Sequence, residues 1–224
     1  MKTIRIILIF VFLYSCSSTQ LVESWKNPEI DTYEPYKVLI VGLTSDIEAR
    51  TQFEKQLKKE FELRGTQASM SLNILTDKQK TERLTEADLD ALETQLILDE
   101  YDTILLTKII GVDDKIAYRQ DYGGYDETRR RFTEEYLMYQ DVFYNPEYYS
   151  EYTIYHAETS MYCICPTKDR ELIWKGYIDI TDPTNVEQTI KDYVRLTIVV
   201  LEEEQLVKRI DLDTQENLQD TVSN

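Results

Sequence analysis

His156, Glu158 and Ser160 are the residues of this chain whose types and spacing come nearest to catalysis. They alternate, so on a regular strand they share one face. A serine, a histidine and an acid on one face suggest a hydrolase. Spacing opposes that chemistry. Same-face neighbours lie about 6.6 Å apart along a strand, whereas a catalytic hydrogen bond spans roughly 2.6–3.2 Å. No nucleophile elbow or glycine-built oxyanion hole accompanies them. His156 is the only histidine, so phosphatidyl-transfer chemistry of the paired His-x-Lys kind is also out of reach. The expectation is a structural or surface histidine and a protein that is not an enzyme.

Metal chemistry is weakly supported. Met161, Cys163 and Cys165 share a strand face, and soft sulfur suits Cu(I). On a straight strand they span about 13 Å, too far for Met161 and Cys165 to hold one ion. An apolar face under a helix is the simpler reading, since free cysteine is commonly buried. Cys163 and Cys165 would have Cα atoms roughly 6.5–7 Å apart, so a disulfide between them is possible only with strain. Asp113-Asp114, or Asp121 with Asp126, could touch Ca²⁺, but the regular calcium-loop spacing is missing. Six glycines in the whole chain leave no phosphate-cradling loop. Neither a cofactor nor a metal is expected.

Charge narrows the partners. The chain has 25 Lys and Arg against 42 Asp and Glu, a formal charge of −17 at pH 7. Such a surface repels nucleic acid. The triplet Arg129-Arg130-Arg131 sits among Asp126, Glu127, Glu134 and Glu135, and reads as a solvated mixed-charge surface.

The beginning of the chain carries an address. Lys2 and Arg5 precede or interrupt an apolar run ending at Leu13, then come Tyr14-Ser15-Cys16 and the polar Ser17-Ser18-Thr19-Gln20. A charged start, a short apolar stretch and a small residue before the cut describe a secretory signal over residues 1–15. The run is too short to span a membrane, which takes roughly 20 apolar residues. Cys16 after the cut resembles the lipobox of bacterial lipoproteins, in which the cysteine carries lipid on its sulfur and its new amino group. Two or more acyl chains give stable attachment. By the same resemblance, Ser17 in place of an acidic retention residue implies the outer membrane. The lack of an acidic cluster after Cys16 points to the periplasmic face.

The elements behind these residues follow from periodicity. Residues 16–35 read as a lipidated polar tether containing Pro28 and Pro35. Residues 36–207 read as a single α/β domain. Val38-Leu39-Ile40-Val41-Gly42-Leu43 is a continuous apolar run, typical of a strand buried on both faces. Ser45 and Glu48 suit a capping box for a helix with Ala49, Phe53, Leu57 and Phe61 on one stripe, closed at Gly65. Thr66–Leu72 reads as a second strand. Thr85 and Asp88 suit the cap of a helix with Leu89, Leu92 and Leu96 inward, and Thr103–Ile110 reads as a third strand. The order β-α-β-α-β argues for parallel pairing with crossover helices. Thr153–Cys165 and Leu172–Ile180 read as an antiparallel hairpin turning at Pro166–Arg170. Thr184 and Glu187 suit a box for a closing amphipathic helix, and residues 208–224 read as a flexible acidic tail. The expected fold is α/β: a mixed sheet in two or three layers, with a C-terminal helix.

Ser24-Trp25-Lys26-Asn27-Pro28, the run Val38–Leu43, Arg50 with Phe53-Glu54, Glu158–Tyr162 and Glu171–Gly176 with the closing helix resemble a widespread group of small, uncharacterised bacterial envelope lipoproteins. The resemblance covers most of residues 23–205. Its presumed domain is similar to that of the curli secretion lipoprotein and of the lipoprotein activator of penicillin-binding protein. The resemblance implies a non-catalytic component that assembles with, or regulates, other envelope proteins.

One segment exceeds what topology needs. Ten of the 17 tyrosines fall between Tyr118 and Tyr155, nine of them within an insert at residues 113–152, interleaved with acids. Excess loop length is usually functional or disordered. Tyrosine offers a rigid amphipathic contact surface at low entropic cost. Tyr122, Tyr125, Tyr136 and Tyr139 are therefore candidate docking residues for an envelope protein or a glycan. The plainer alternative is a twisted β-extension whose tyrosines pack on one another. A small ligand carrier, or an enzyme with a site beside the insert, is the rival function.

Overall fold

The computed structural model describes residues 18–76, 79–80, 83–118, 149–165 and 171–210. It is an α/β fold built on one six-stranded mixed sheet in the order β1-β6-β5-β4-β2-β3. The strands are β1 (Thr19–Lys26), β2 (Lys37–Leu43), β3 (Gln67–Met70), β4 (Thr103–Tyr118), β5 (Tyr149–Cys163) and β6 (Leu172–Thr181). The helices among the described residues are α1 (Ile47–Leu63), α2 (Ser71–Ile74), α3 (Glu86–Leu98) and α4 (Val186–Glu203).

β2 pairs parallel with β3 and β4, as expected of the β-α-β-α-β half. β4, β5 and β6 then run antiparallel in turn. Thr19–Lys26, expected within a polar tether, is instead an edge strand, paired antiparallel with β6 from Thr19 opposite Ile180 to Lys26 opposite Trp174. Local polarity hides this strand, because only its backbone pairing with β6 holds it in place. The insert's two ends are strand as well. β4 runs to Tyr118 and β5 begins at Tyr149, so residues 113–118 and 149–152 form an antiparallel ribbon.

Helix starts differ from expectation by one residue. Asp46 caps α1, its Oδ1 accepting from the N–H groups of Glu48 and Ala49, both at 3.0 Å. Asn185 caps α4 by accepting from Gln188 N–H at 2.9 Å. Asp and Asn cap at least as well as Ser or Thr, so the neighbouring boxes yield to them. Thr85 and Asp88 do form the capping box of α3. Gly65, at φ +80°, follows α1 in the left-handed conformation that a Cβ would oppose. The second strand stops at Met70 because Ser71 turns inward to the buried carboxylate of Glu54.

The number of layers changes across the sheet. α1 and α4 cover one face, burying Phe53, Leu57, Phe61, Tyr193, Val194, Ile198 and Leu201 against Val38, Ile40, Leu105, Met161, Trp174 and Ile178. On the opposite face α3 seats Leu96 on Leu39, Tyr101 and Ile164. The fold is therefore three layers deep over β2 and β4. Among the described residues it is two layers deep over β5, β6 and β1.

Candidate functional site

The alternation Lys175-Gly176-Tyr177-Ile178-Asp179 in β6 sends Ile178 into the core under α1 and α4, and Lys175, Tyr177 and Asp179 to the opposite face, in the part that α3 leaves open. Together with Val22, Glu23 and Trp25 from β1, His156 from β5 and Ile110 from β4, they line an open groove of about 550 Å³. Trp25, 44% exposed, stands opposite Lys175 in the ladder.

A bulge in β4 organises the charges of this face. The register slips between Ile109 and Gly111. One extra residue inverts the in-out parity of everything beyond it. Lys108 and Asp113 would lie on opposite faces of a regular strand, yet both reach groups on the open face. Lys108 Nζ lies 3.1 Å from Glu158 Oε1, and Asp113 Oδ2 lies 3.6 Å from His156 Nε2. Gly111 leaves room for the imidazole, since a Cβ there would stand 3.3 Å from His156 Cδ2.

His156 sits opposite Asp179, with Nδ1 2.6 Å from Asp179 Oδ1. That hydrogen bond raises the histidine pKa above its ordinary 6.5; desolvation opposes the rise, while the charge of Asp179 and the nearby Asp113 add to it. Glu158 accepts from Lys175 Nζ at 3.1 Å and from Ser160 Oγ at 3.0 Å. Burial would raise its carboxyl, but hydrogen bonds from Lys108, Lys175 and Ser160 outweigh that and hold it below the usual carboxylate range. So His156, Glu158 and Ser160 share a face, as their alternation requires, but the hydroxyl of Ser160 is committed to Glu158 and the imidazole to the aspartates. These three residues do not form a nucleophile paired with its base.

Met161 and Cys163 are buried under α1 and α4. Cys163 is joined to Cys165 by a disulfide. The Cα atoms are 5.3 Å apart. That is closer than a straight strand would place them, because β5 ends at Cys163 and the chain bends before Cys165. Among the described residues no group of three His, Cys, Asp or Glu could hold a metal ion.

A second concavity lies at the ends of β2 and β6, beside the middle of β4 at Thr107, Lys108 and Ile109. The first turns of α1 and α4 enclose an apolar slot of about 180 Å³ lined by Phe53, Ile109, Ile180, Ile190 and Tyr193, among others. Beside it Arg50 and Glu54 form a buried pair, Nε to Oε1 at 2.9 Å. Ser71 Oγ and the N–H groups of Gly42 and Leu72 donate to the same carboxylate. Arg50 in turn donates to Ser71 at 2.7 Å. Bonded at once to Gly42, Ser71 and Leu72, this pair holds β2, α1 and α2 together.

Cys16, Tyr122, Tyr125, Tyr136 and Tyr139 lie outside the described residues, as do Asp121, Asp126, Arg129–Arg131 and residues 211–224. Sequence reasoning passed over Lys175, Tyr177 and Asp179 as binding candidates, although their alternation with Gly176 and Ile178 signals a solvated strand face.

No protein-family model matches the chain, and no curated protein matches it. Solved structures offer distant likenesses. The PelC dodecamer from Paraburkholderia phytofirmans aligns at 10% identity and a TM-score of 0.41, over 84% of this chain and 97% of that one. Lipoprotein GNA1162 from Neisseria meningitidis aligns at 10% identity and a TM-score of 0.39, over 75% of this chain and 99% of that one. At these scores the likenesses assign neither a family nor a role. No described helix is long and apolar enough to cross a membrane.

Proposed function

We propose that this protein is a non-catalytic accessory lipoprotein of the bacterial envelope, tied by lipid on Cys16 to the outer membrane and facing the periplasm. It works by docking an envelope partner, protein or glycan, on the open face of β1, β6 and β5 and on the tyrosine-rich insert. The observation that carries the docking is the groove around Trp25 and Tyr177. Its lining combines aromatic Trp25 and Tyr177 with charged Glu23, Lys175 and Asp179, and it runs along an open sheet face that includes the edge strand β1. Interfaces are rich in aromatic anchors, and an unpaired strand edge is a ready surface for another chain. The slot between α1 and α4, at about 180 Å³, is smaller than the roughly 300–1,000 Å³ of small-molecule sites, and the larger groove of about 550 Å³ lies open along the sheet, which suits a docked partner better than a carried ligand.

Photo-crosslinking in cells tests the docking. A photoreactive residue at position 25 or 177, and separately at Tyr122, Tyr125, Tyr136 or Tyr139, is expected to give one adduct of defined mass. Loss on Trp25→Ala of the adduct formed from position 177 would follow. Crosslinks no different from those of a probe at exposed Leu98 sink the docking reading. Mass measurement of the mature amino terminus tests the lipid.

A further inference from the structure

The end of the domain at which the described chain begins is also an apolar end. Thr19 stands opposite Ile180, Ile180 opposite Tyr155, and Tyr155 opposite Val112. Thr181 N–H donates to Ser18 C=O at 2.7 Å, so Ser18 is fixed at the rung of Asp113. β2 and β6 both finish towards this end, and α1 and α4 both start from it. Large apolar side chains stand exposed there: Ile47 at 55% and Val186 at 55%, with Leu43, Ile109 and Val112 beside them. The apolar slot opens among the same first turns.

We infer that this end seats on the lipid surface to which Cys16 is tied, with Ile47, Ile109, Val112 and Val186 in the headgroup layer. The inference rests on the lipid reading of Cys16 and adds to it an orientation. Two lengths support it. Only Ser17 lies between Cys16 and the fixed Ser18, and two residue steps reach about 7 Å. The β4–β5 ribbon continues past that rung from Asp114 to Tyr118, and five residues of strand span about 17 Å. The ribbon overhangs further than the linker can reach. A chain held by lipid at Cys16 must therefore lean until ribbon and apolar rim meet the bilayer together. Tyr152, opposite Lys115 on the ribbon, suits that depth, since a tyrosine ring favours the membrane–water interface. The first turns of α1 and α4 also carry Glu48 and Glu187, so the surface it fits is zwitterionic lipid.

The test uses the lipidated full-length protein in vesicles of phosphatidylethanolamine and phosphatidylcholine with brominated acyl chains. A single tryptophan is placed at Ile47→Trp, Val186→Trp or, at the opposite end, Leu98→Trp, each in a Trp25→Phe background. Buried Trp174 supplies a constant signal, and all three sites are exposed, so folding is checked by a thermal melt. Bromine is expected to quench the Ile47→Trp and Val186→Trp signals about twofold, as for side chains reaching the acyl boundary, and to leave Leu98→Trp unchanged. Replacing half the phosphatidylcholine with phosphatidylglycerol is expected to reduce the quenching. A chain that floats with the vesicles while all three tryptophans behave alike overturns the orientation and leaves the anchor standing. A mature chain without acyl mass that stays behind in flotation overturns both.

Discussion

The indole of Trp174 occupies the space above Gly176: a Cβ placed on Gly176 would lie 2.3 Å from Trp174 Cη2 and 2.5 Å from Cζ2. Trp174 is fully buried, so the ring has nowhere to retreat. Gly176→Ala is expected to destabilise the fold by about 1–3 kcal/mol, the usual cost of overpacking. A urea titration measures it. An unchanged midpoint would mean that the ring moves freely.

The buried Glu54 carboxylate accepts from Arg50, Ser71, Gly42 and Leu72. Glu54→Ala leaves the guanidinium of Arg50 buried without its counter-charge. The expected cost is about 3–5 kcal/mol, whereas Arg50→Met with Glu54→Leu costs far less. Chemical denaturation of the two variants decides it, and equal losses would show that the shape of the site matters more than its charge.

With one histidine in the chain, a single imidazole resonance reports His156 by NMR. Its titration midpoint is expected above 6.5, and Asp179→Asn should bring it back towards that value. The sign for stability follows from the raised folded pKa. The stabilisation is fully present below the unfolded value of 6.5 and is lost as pH rises through the folded one. The stability gap between wild type and Asp179→Asn should therefore narrow on going to alkaline pH. A gap that widens contradicts the pairing.

Thr107, Thr159 and Tyr193 form a hydroxyl chain, with oxygens 2.7 Å and then 2.8 Å apart. Burial pushes the Tyr193 phenol well above its ordinary range. Tyr193→Phe keeps the edge-on ring contact with Phe53 and removes only the last hydroxyl. About 1 kcal/mol of stability should be lost in a thermal melt, because Thr159 still bonds Thr107. No loss at all would show that the buried hydroxyl contributes nothing net.

Much of this fold is legible in local pattern. The uninterrupted run Val38–Leu43 announces a strand buried on both sides, and Val38, Leu39 and Ile40 are buried so, while Leu43 at its end is exposed. The stripe Phe53, Leu57 and Phe61 announces the buried side of α1. Leu89 was expected to face inward and is half exposed, since α3 reaches the sheet mainly through Leu96 near its far end.

The sequence by itself determined the α/β order, the core faces of β2, α1 and α4, and the alternation that leaves one side of β6 in solvent, because each is a period of burial written into neighbouring residues. Only the tertiary structure decided that Thr19–Lys26 is a strand, because its hydrogen bonds go to β6, some 150 residues away along the chain. It also decided, through one extra residue at the β4 bulge, that Lys108 and Asp113 serve the same face. And it brought Cys163 within bonding reach of Cys165, since the end of β5 falls between them. Local periodicity carries no information about which distant backbone completes a ladder, or where a ladder slips.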